Sequence, residues 1–127
     1  MKTSDILDRW TILRMKARFD DCAKTELKAY TDELAALAKS EAWRRHYMFM
    51  TEAVVQLAEA NGKIWVCEAA IRQEYNNDPA RKDLSLEEIG RRALEIRGYN
   101  KLRVEAKQAI DTIFGDVPDK KVDHASV

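Results

Sequence analysis

Helix-breaking residues are almost missing from the first part of this chain. No proline precedes Pro79, and Gly62 is the only glycine before it. Both residue types interrupt α-helices, proline because it lacks the backbone N–H and glycine because its backbone is so flexible. A segment this long without them predicts an α-helical chain, whose helix ends have to be located from capping and turn residues.

Short polar side chains mark the start of the first two predicted helices. Thr3 or Ser4 can cap a helix over about 5–19, because their hydroxyl groups accept hydrogen bonds from the free N–H groups of the first turn. The acidic pair at 20–21 supplies the same kind of acceptor for a second helix. This second helix is predicted to run to about residue 38.

A long apolar pattern predicts a central helix. From Trp43 to Tyr75, apolar residues recur at steps of three and four in a heptad-like register, and this predicted buried stripe includes Tyr47 and Met50. The sequence Asn-Asn-Asp-Pro at 76–79 is predicted to end this helix, because the residue before a proline is pushed out of the α region. The pattern therefore indicates one helix much longer than the two before it.

A capping box marks the last predicted helix. Ser85 and Glu88 have the spacing of that motif, and Gly115 suits the position just after a helix end. A short loop between two long helices favours an antiparallel hairpin. We therefore predict an all-α fold, an antiparallel bundle of about four helices, as a single domain over 1–115 with a flexible tail over 116–127.

Composition and charge narrow the functional classes. The 22 basic residues are balanced by 22 acidic ones, so no overall positive field favours nucleic acid, and nucleic acid is an unlikely partner. We found no apolar run long enough for a membrane span and no signal-peptide pattern, which predicts a cytoplasmic protein without membrane contact. Cys22 and Cys67 are predicted to be reduced thiols, and no metal site or cofactor is expected.

Polar residues interrupt the apolar seams of both long helices. The central stripe includes Asn61 and Glu68, while the last seam continues into Asn100, Arg103 and Lys107. An antiparallel hairpin would bring these positions together, with the Trp65 ring over them and Arg72 paired to Glu68 at a spacing of four. The candidate ligand-binding residues are Asn61, Trp65, Glu68, Arg72, Arg97, Asn100, Arg103 and Lys107.

Two interpretations of this set are open. In the first, the residues form an internally satisfied polar network that fixes helix register, as a buried Asn does in a coiled coil. In the second, the excess of Arg and Lys forms a cationic pocket for a small anion such as phosphate, a nucleotide or a sugar nucleotide. If such a pocket were catalytic, Glu68 would be its general acid or base. The residues do not decide whether the protein is an enzyme.

Two further sequence patterns allow interpretations outside the polar set. Asp5, Asp8 and Arg9 lie in the first turns of a helix, where the helix dipole favours acidic residues. The segment 86–110 could also be a helix-turn-helix with Gly98 in its turn, which would allow nucleic-acid binding through the last helix.

Spaced residues also resemble a group of short all-helical bacterial proteins of unknown function, some encoded near cell-surface polysaccharide genes. The resemblance covers most of the chain up to Gly115 and implies a shared all-helical architecture. It points to the same polar residues as the candidate set but implies no activity. The residues that carry it are the opening Asp5-Ile6-Leu7-Asp8-Arg9-Trp10-Thr11-Ile12-Leu13, the set Asn61, Trp65, Glu68 and Arg72, and the closing Ile96-Arg97, Asn100, Arg103 and Lys107.

The length of the apolar stripes favours association as the function. A chain of 127 residues is too small to bury such stripes completely within one domain. Self-association is the commonest way for a soluble protein to cover them. We therefore expect a non-enzymatic interaction or assembly module that forms a homo-oligomer, with the anion site and nucleic-acid binding as alternatives.

Overall fold

The computed structural model describes residues 1–75 and 85–115, with side chains described up to Ile71 in the first range. All regular secondary structure in these two ranges is α-helical, which confirms the predicted fold class. The predicted turn at 76–79, the Arg72 side chain and the predicted tail at 116–127 lie outside this description. The helices are α1 (Thr3–Lys16), α2 (Asp21–Ala38), α3 (Glu41–Arg45), α4 (Tyr47–Tyr75) and α5 (Leu86–Ile113).

Three of the predicted helix ends have the expected chemistry. The Asp20 side chain accepts a hydrogen bond from the backbone N–H of Cys22 at 2.9 Å and caps α2. Ser85 Oγ accepts one from the Glu88 N–H at 3.1 Å and caps α5. Gly115 follows α5 with a positive φ of 71°, a conformation that glycine adopts without a steric penalty.

The start of α1 differs from the prediction. The helix begins at Thr3, with Lys2 in the capping position, and no side chain makes the cap hydrogen bond. Ser4, one of the two predicted caps, is instead a fully buried residue of the first turn. The helix also ends earlier than predicted, at Lys16, because the chain turns over 17–19 before α2 begins.

The predicted central helix is divided in two. Ser40 caps the short helix α3 by accepting from the Trp43 N–H at 3.3 Å, and the chain leaves helical geometry at His46 before α4 begins. The apolar pattern missed this break because it continues through both helices. Consequently Tyr47, which the pattern placed on the buried stripe, is 64% exposed, whereas Met50 is completely buried.

The last helix is continuous. α5 runs through Gly98 without a turn, so the helix-turn-helix interpretation of 86–110 is wrong. Leu102, an apolar residue in the middle of this helix, is 42% exposed.

The bundle is built on the predicted hairpin of α4 and α5, which has the most extensive packing of any helix pair. α1 lies against both hairpin helices and also packs against α2. The core between α1 and the hairpin consists of Leu7, Met50, Ala53, Leu57, Ala106 and Ile110. A smaller cluster under α2 consists of Leu13, Ala17 and Ala23.

Among the described residues, no helix combines the length and the apolar character needed to cross a bilayer.

Candidate functional site

Asp8 of α1 forms the centre of a polar cluster between α1, α4 and α5. Asp8 is 5% exposed, and its carboxylate accepts two hydrogen bonds from Arg103, from Nε to Oδ1 at 2.8 Å and from Nη2 to Oδ2 at 2.5 Å. This is the two-pronged arrangement in which guanidinium and carboxylate groups match best. The ion pair therefore fixes the position of α1 along α5.

Asn61 of α4 joins the same carboxylate. Its Nδ2 donates to Asp8 Oδ1 at 2.9 Å and to Thr11 Oγ1 at 2.8 Å, which uses both N–H bonds of the amide. Thr11 Oγ1 in turn donates to the Asp8 backbone carbonyl at 2.7 Å. Asn61 itself is 5% exposed. Three helices are thus connected through one buried carboxylate.

A second ion pair joins Asp5, one turn before Asp8 in α1, to Lys107, one turn after Arg103 in α5. Lys107 Nζ donates to Asp5 Oδ1 at 2.9 Å and lies 3.9 Å from Asp8 Oδ2. Because α1 and α5 run in opposite directions, one turn toward the start of α1 corresponds to one turn toward the end of α5. The second ion pair therefore lies directly beside the first. We call this set the Asp8 network: Asp5, Asp8, Thr11, Asn61, Asn100, Arg103 and Lys107.

The Asp8 network stabilises the ionised form of its central carboxylate. Burial raises the pKa of Asp8, but the hydrogen bonds from Arg103 and Asn61, with the charges of Arg103 and Lys107, outweigh burial and lower this pKa overall. The hydrogen bond to Asp8 also raises the pKa of Arg103 despite its burial. Both groups are therefore charged at neutral pH and satisfy each other.

This lowered pKa predicts acid sensitivity. The folded protein binds the Asp8 proton less readily than the unfolded chain, whose ordinary value is 3.8. The stability that the ionised carboxylate provides is therefore complete above about pH 4 and is lost as the pH falls through the lower folded pKa. Urea unfolding at pH 7, 5, 4 and 3 should show that the stability difference between wild type and Asp8→Asn shrinks below about pH 4. A difference that stays constant from pH 7 to pH 3 would contradict this assignment.

A cleft lies beside the Asp8 network, between the second half of α1 and the middle parts of α4 and α5. Its volume is about 400 Å³. We call it the three-helix cleft, and it is lined by Arg9, Ile12, Met15, Lys16, Asn61, Ile64, Trp65, Glu68, Ile96, Asn100 and Arg103.

The structure distributes the eight predicted site residues over several environments. Lys107 belongs to the Asp8 network but not to the cleft lining, and Arg97 is partly buried outside this lining. The Arg72 side chain lies outside the described residues, so its predicted pairing with Glu68 does too. The five predicted residues that line the cleft together are Asn61, Trp65, Glu68, Asn100 and Arg103.

Asp5 and Asp8 change the charge balance that the sequence indicated. The candidate set had an excess of positive charge, and the two acids were attributed to the helix dipole. In the structure they are the ion-pair partners of Lys107 and Arg103. The sequence did contain a signal for this tertiary role of Asp8, namely a polar row on one face of α1. The row consists of Ser4, Asp8 and Thr11, which follow one another at steps of four and three.

The surroundings of Cys67 disfavour its reactive thiolate form. Burial, the hydrogen bond to Glu95 and the negative charge of Glu95 raise the pKa of Cys67, so its thiol stays protonated at neutral pH. In the two described ranges, no group of three or more His, Cys, Asp or Glu side chains is placed to hold a metal ion. Glu68 lies at the exposed edge of the cleft.

Comparisons with protein-family models, curated proteins and solved structures found no match to this chain.

Proposed function

We propose that this protein is a non-enzymatic helical assembly module that forms a homodimer through the outer face of α4. The observation that carries this proposal is a row of exposed apolar side chains. Met48 is 74% exposed, Val55 54% and Val66 62%. We call these three residues the outer stripe.

The outer stripe lies along one line of the helix. At about 3.6 residues per turn, Val55 lies about two turns and Val66 about five turns after Met48, so all three side chains project in the same direction. The buried core residues Met50 and Leu57 lie on the other side of the same helix. Exposed Glu52 and Glu59 lie between the stripe residues on the same face, so the outer face of α4 combines large apolar and acidic side chains, as the polar and apolar parts of a protein interface do.

A second copy of the chain is the partner that fits this face. In a symmetric dimer the same surface meets itself, so its apolar and charged positions must complement each other under a two-fold rotation. With antiparallel α4 helices and the axis near Leu57, Met48 would lie opposite Val66 of the second copy. The same register would bring Glu52 close to Lys63 of that copy, which pairs opposite charges, and would place Val55 opposite Glu59 of that copy.

The Asp8 network supports an assembly function over a catalytic one. Its two carboxylates and two cations neutralise each other, and the Asn61 amide N–H groups are both used. Such a network holds three helices in a defined register, as a framework for a binding surface requires. This supports the first interpretation of the predicted polar residues, an internally satisfied network that fixes helix register. No charge is left over at Arg103 or Lys107 to favour phosphate there.

Sedimentation equilibrium over micromolar concentrations tests the proposed dimer. We expect wild type to be dimeric and Val55→Glu to weaken association on the order of 100-fold, because it would place a second carboxylate opposite Glu59 of the other copy. Ala35→Glu is the matched control, since it adds the same charge at an exposed position of α2. A wild-type protein that stays monomeric at 100 micromolar would refute the proposal.

A charge exchange tests the antiparallel register. Glu52→Lys and Lys63→Glu should each weaken the dimer, because each places like charges opposite one another across the two-fold axis. The double variant Glu52→Lys/Lys63→Glu restores opposite charges and should recover most of the association. Equal association of the single and double variants would exclude this register.

A further inference from the structure

We propose that the three-helix cleft binds a small organic anion with an apolar body, at a site separate from the dimer surface. The cleft has the size of a small-molecule site, since its volume of about 400 Å³ lies in the usual range for ligand pockets. It also has two chemically different parts, an apolar wall and a cationic edge.

The apolar wall comes from all three helices. Trp65 contributes an indole ring, and all five apolar lining residues are partly exposed. Covering them with an apolar ligand would remove hydrocarbon surface from water, which is the main source of affinity in such sites. The wall residues are Ile12, Met15, Ile64, Trp65 and Ile96.

The cationic edge is formed by Lys16 at the end of α1. Two other cations in the lining already have carboxylate partners, Arg103 with Asp8 and Arg9 with Glu26 at 3.3 Å. Lys16 makes no ion pair with any residue in the described part of the chain. Glu68, the acidic residue in the lining, has an interaction partner of its own.

These observations select the ligand chemistry. One uncompensated ammonium group next to an apolar wall suits a single carboxylate or sulfonate attached to a hydrocarbon or aromatic body. Phosphate and other purely polar anions would gain little, because they cannot use the wall and find only one available cation.

Hydrogen bonds fix the positions of two polar side chains in the cleft lining, Arg103 and Asn100. Arg103 is held by Asp8 on one side and donates from Nη1 to Asn100 Oδ1 at 3.2 Å on the other. Side chains fixed by hydrogen bonds lose little freedom when a ligand arrives, which favours binding.

Two fluorescent probes separate the contributions of the wall and the edge. 1-Anilinonaphthalene-8-sulfonate carries an anionic group, and N-phenyl-1-naphthylamine has a similar aromatic body without charge. We expect both probes to bind, with Lys16→Gln weakening the sulfonate probe about fivefold and leaving the neutral probe unchanged. Failure of the sulfonate probe to bind, or equal loss of both probes, would overturn the proposal. Inorganic phosphate should not compete.

Two tryptophan substitutions on the same helix test the location. Ile96→Trp fills the cleft and should abolish binding of both probes. Leu94→Trp adds the same ring two residues away, at a side chain that is 61% exposed and outside the cleft lining, and should have no effect. If probe binding survives Ile96→Trp in a folded protein, the cleft is not the site.

Nuclear magnetic resonance locates the probe in wild type, without any cleft-filling variant. The sulfonate probe should shift the indole N–H signal of Trp65 but not those of the other two tryptophans. Trp10 donates to Thr31 Oγ1 at 3.1 Å, and Trp43 packs against Phe114, so neither ring lines the cleft. An unshifted Trp65 signal under saturating probe would overturn the proposal.

The outer-stripe variant distinguishes this site from the dimer surface. Val55→Glu should remain able to bind both probes even if it becomes monomeric, because Val55 is not part of the cleft. Loss of probe binding in Val55→Glu would assign the probes to the dimer surface instead. The failure of one proposal therefore leaves the other testable.

Discussion

Replacing Asp8 with alanine is expected to lower the free energy of unfolding by about 3 kcal/mol at pH 7. The substitution removes a carboxylate whose side chain is 7% exposed and which accepts hydrogen bonds from Arg103 and Asn61. The Arg103 side chain, 30% exposed, then keeps its charge without its partner, and the Asn61 amide loses an acceptor. Urea unfolding followed by circular dichroism gives the change directly.

Asp5→Ala is the matched control for this prediction. Asp5 lies on the same helix face one turn earlier, but its side chain is 37% exposed and contacts Lys107. Because water replaces much of the lost interaction, we expect a loss of about 1 kcal/mol or less. Similar losses for Asp5→Ala and Asp8→Ala would mean that Asp8 is not the centre of the network.

A double-mutant cycle separates the ion pair from its surroundings. Arg103→Ala alone leaves Asp8 as a buried carboxylate with fewer partners, so it should also be strongly destabilising. The double variant Asp8→Ala/Arg103→Ala removes both charges and should lose clearly less than the sum of the single losses. Additive losses would show that the two side chains do not interact in solution.

The fold followed from local signals in the sequence. Capping by Asp20 and Ser85 and termination at Gly115 depend on residues within a few positions of one another, and all three were predictable. The break at His46 was not, because apolar residues continue at helical spacing on both sides of it. A helix pattern reports which residues share a face, but not whether the backbone is continuous beneath it.

The candidate site was only half predictable, for a physical reason. The hairpin made it possible to place Asn61 near Asn100 and Arg103, since short connections force α4 and α5 together. Asp8 pairs with Arg103 across 95 positions of sequence, and no local pattern states how α1 docks onto the hairpin. An acidic residue in a first turn also has an adequate local explanation in the helix dipole, which concealed its tertiary role.

Asn61→Asp is expected to be the second most damaging change, with a loss of about 3 kcal/mol at pH 7. In wild type, Asn61 Nδ2 lies 2.9 Å from Asp8 Oδ1 and donates a hydrogen bond to it. An ionised carboxylate of nearly the same shape would instead place two negative oxygens together in a buried position. Asn61→Leu is the control for the lost hydrogen bonds alone, with an expected loss of about 1 to 2 kcal/mol.

Acid should partly restore the stability of Asn61→Asp, whereas a variant that only loses packing would not gain stability in acid. Burial and the neighbouring Asp8 charge raise the folded pKa of the introduced carboxyl above its unfolded value of about 3.9. The folded state therefore binds this proton more tightly, and stability falls as the pH rises through the raised pKa. Below that pKa the protonated carboxyl donates an O–H to Asp8, as Nδ2 does in wild type. The stability gap to wild type should narrow between pH 7 and pH 5 for Asn61→Asp and stay constant for Asn61→Leu; parallel curves for the two variants would exclude the proposed contact with Asp8.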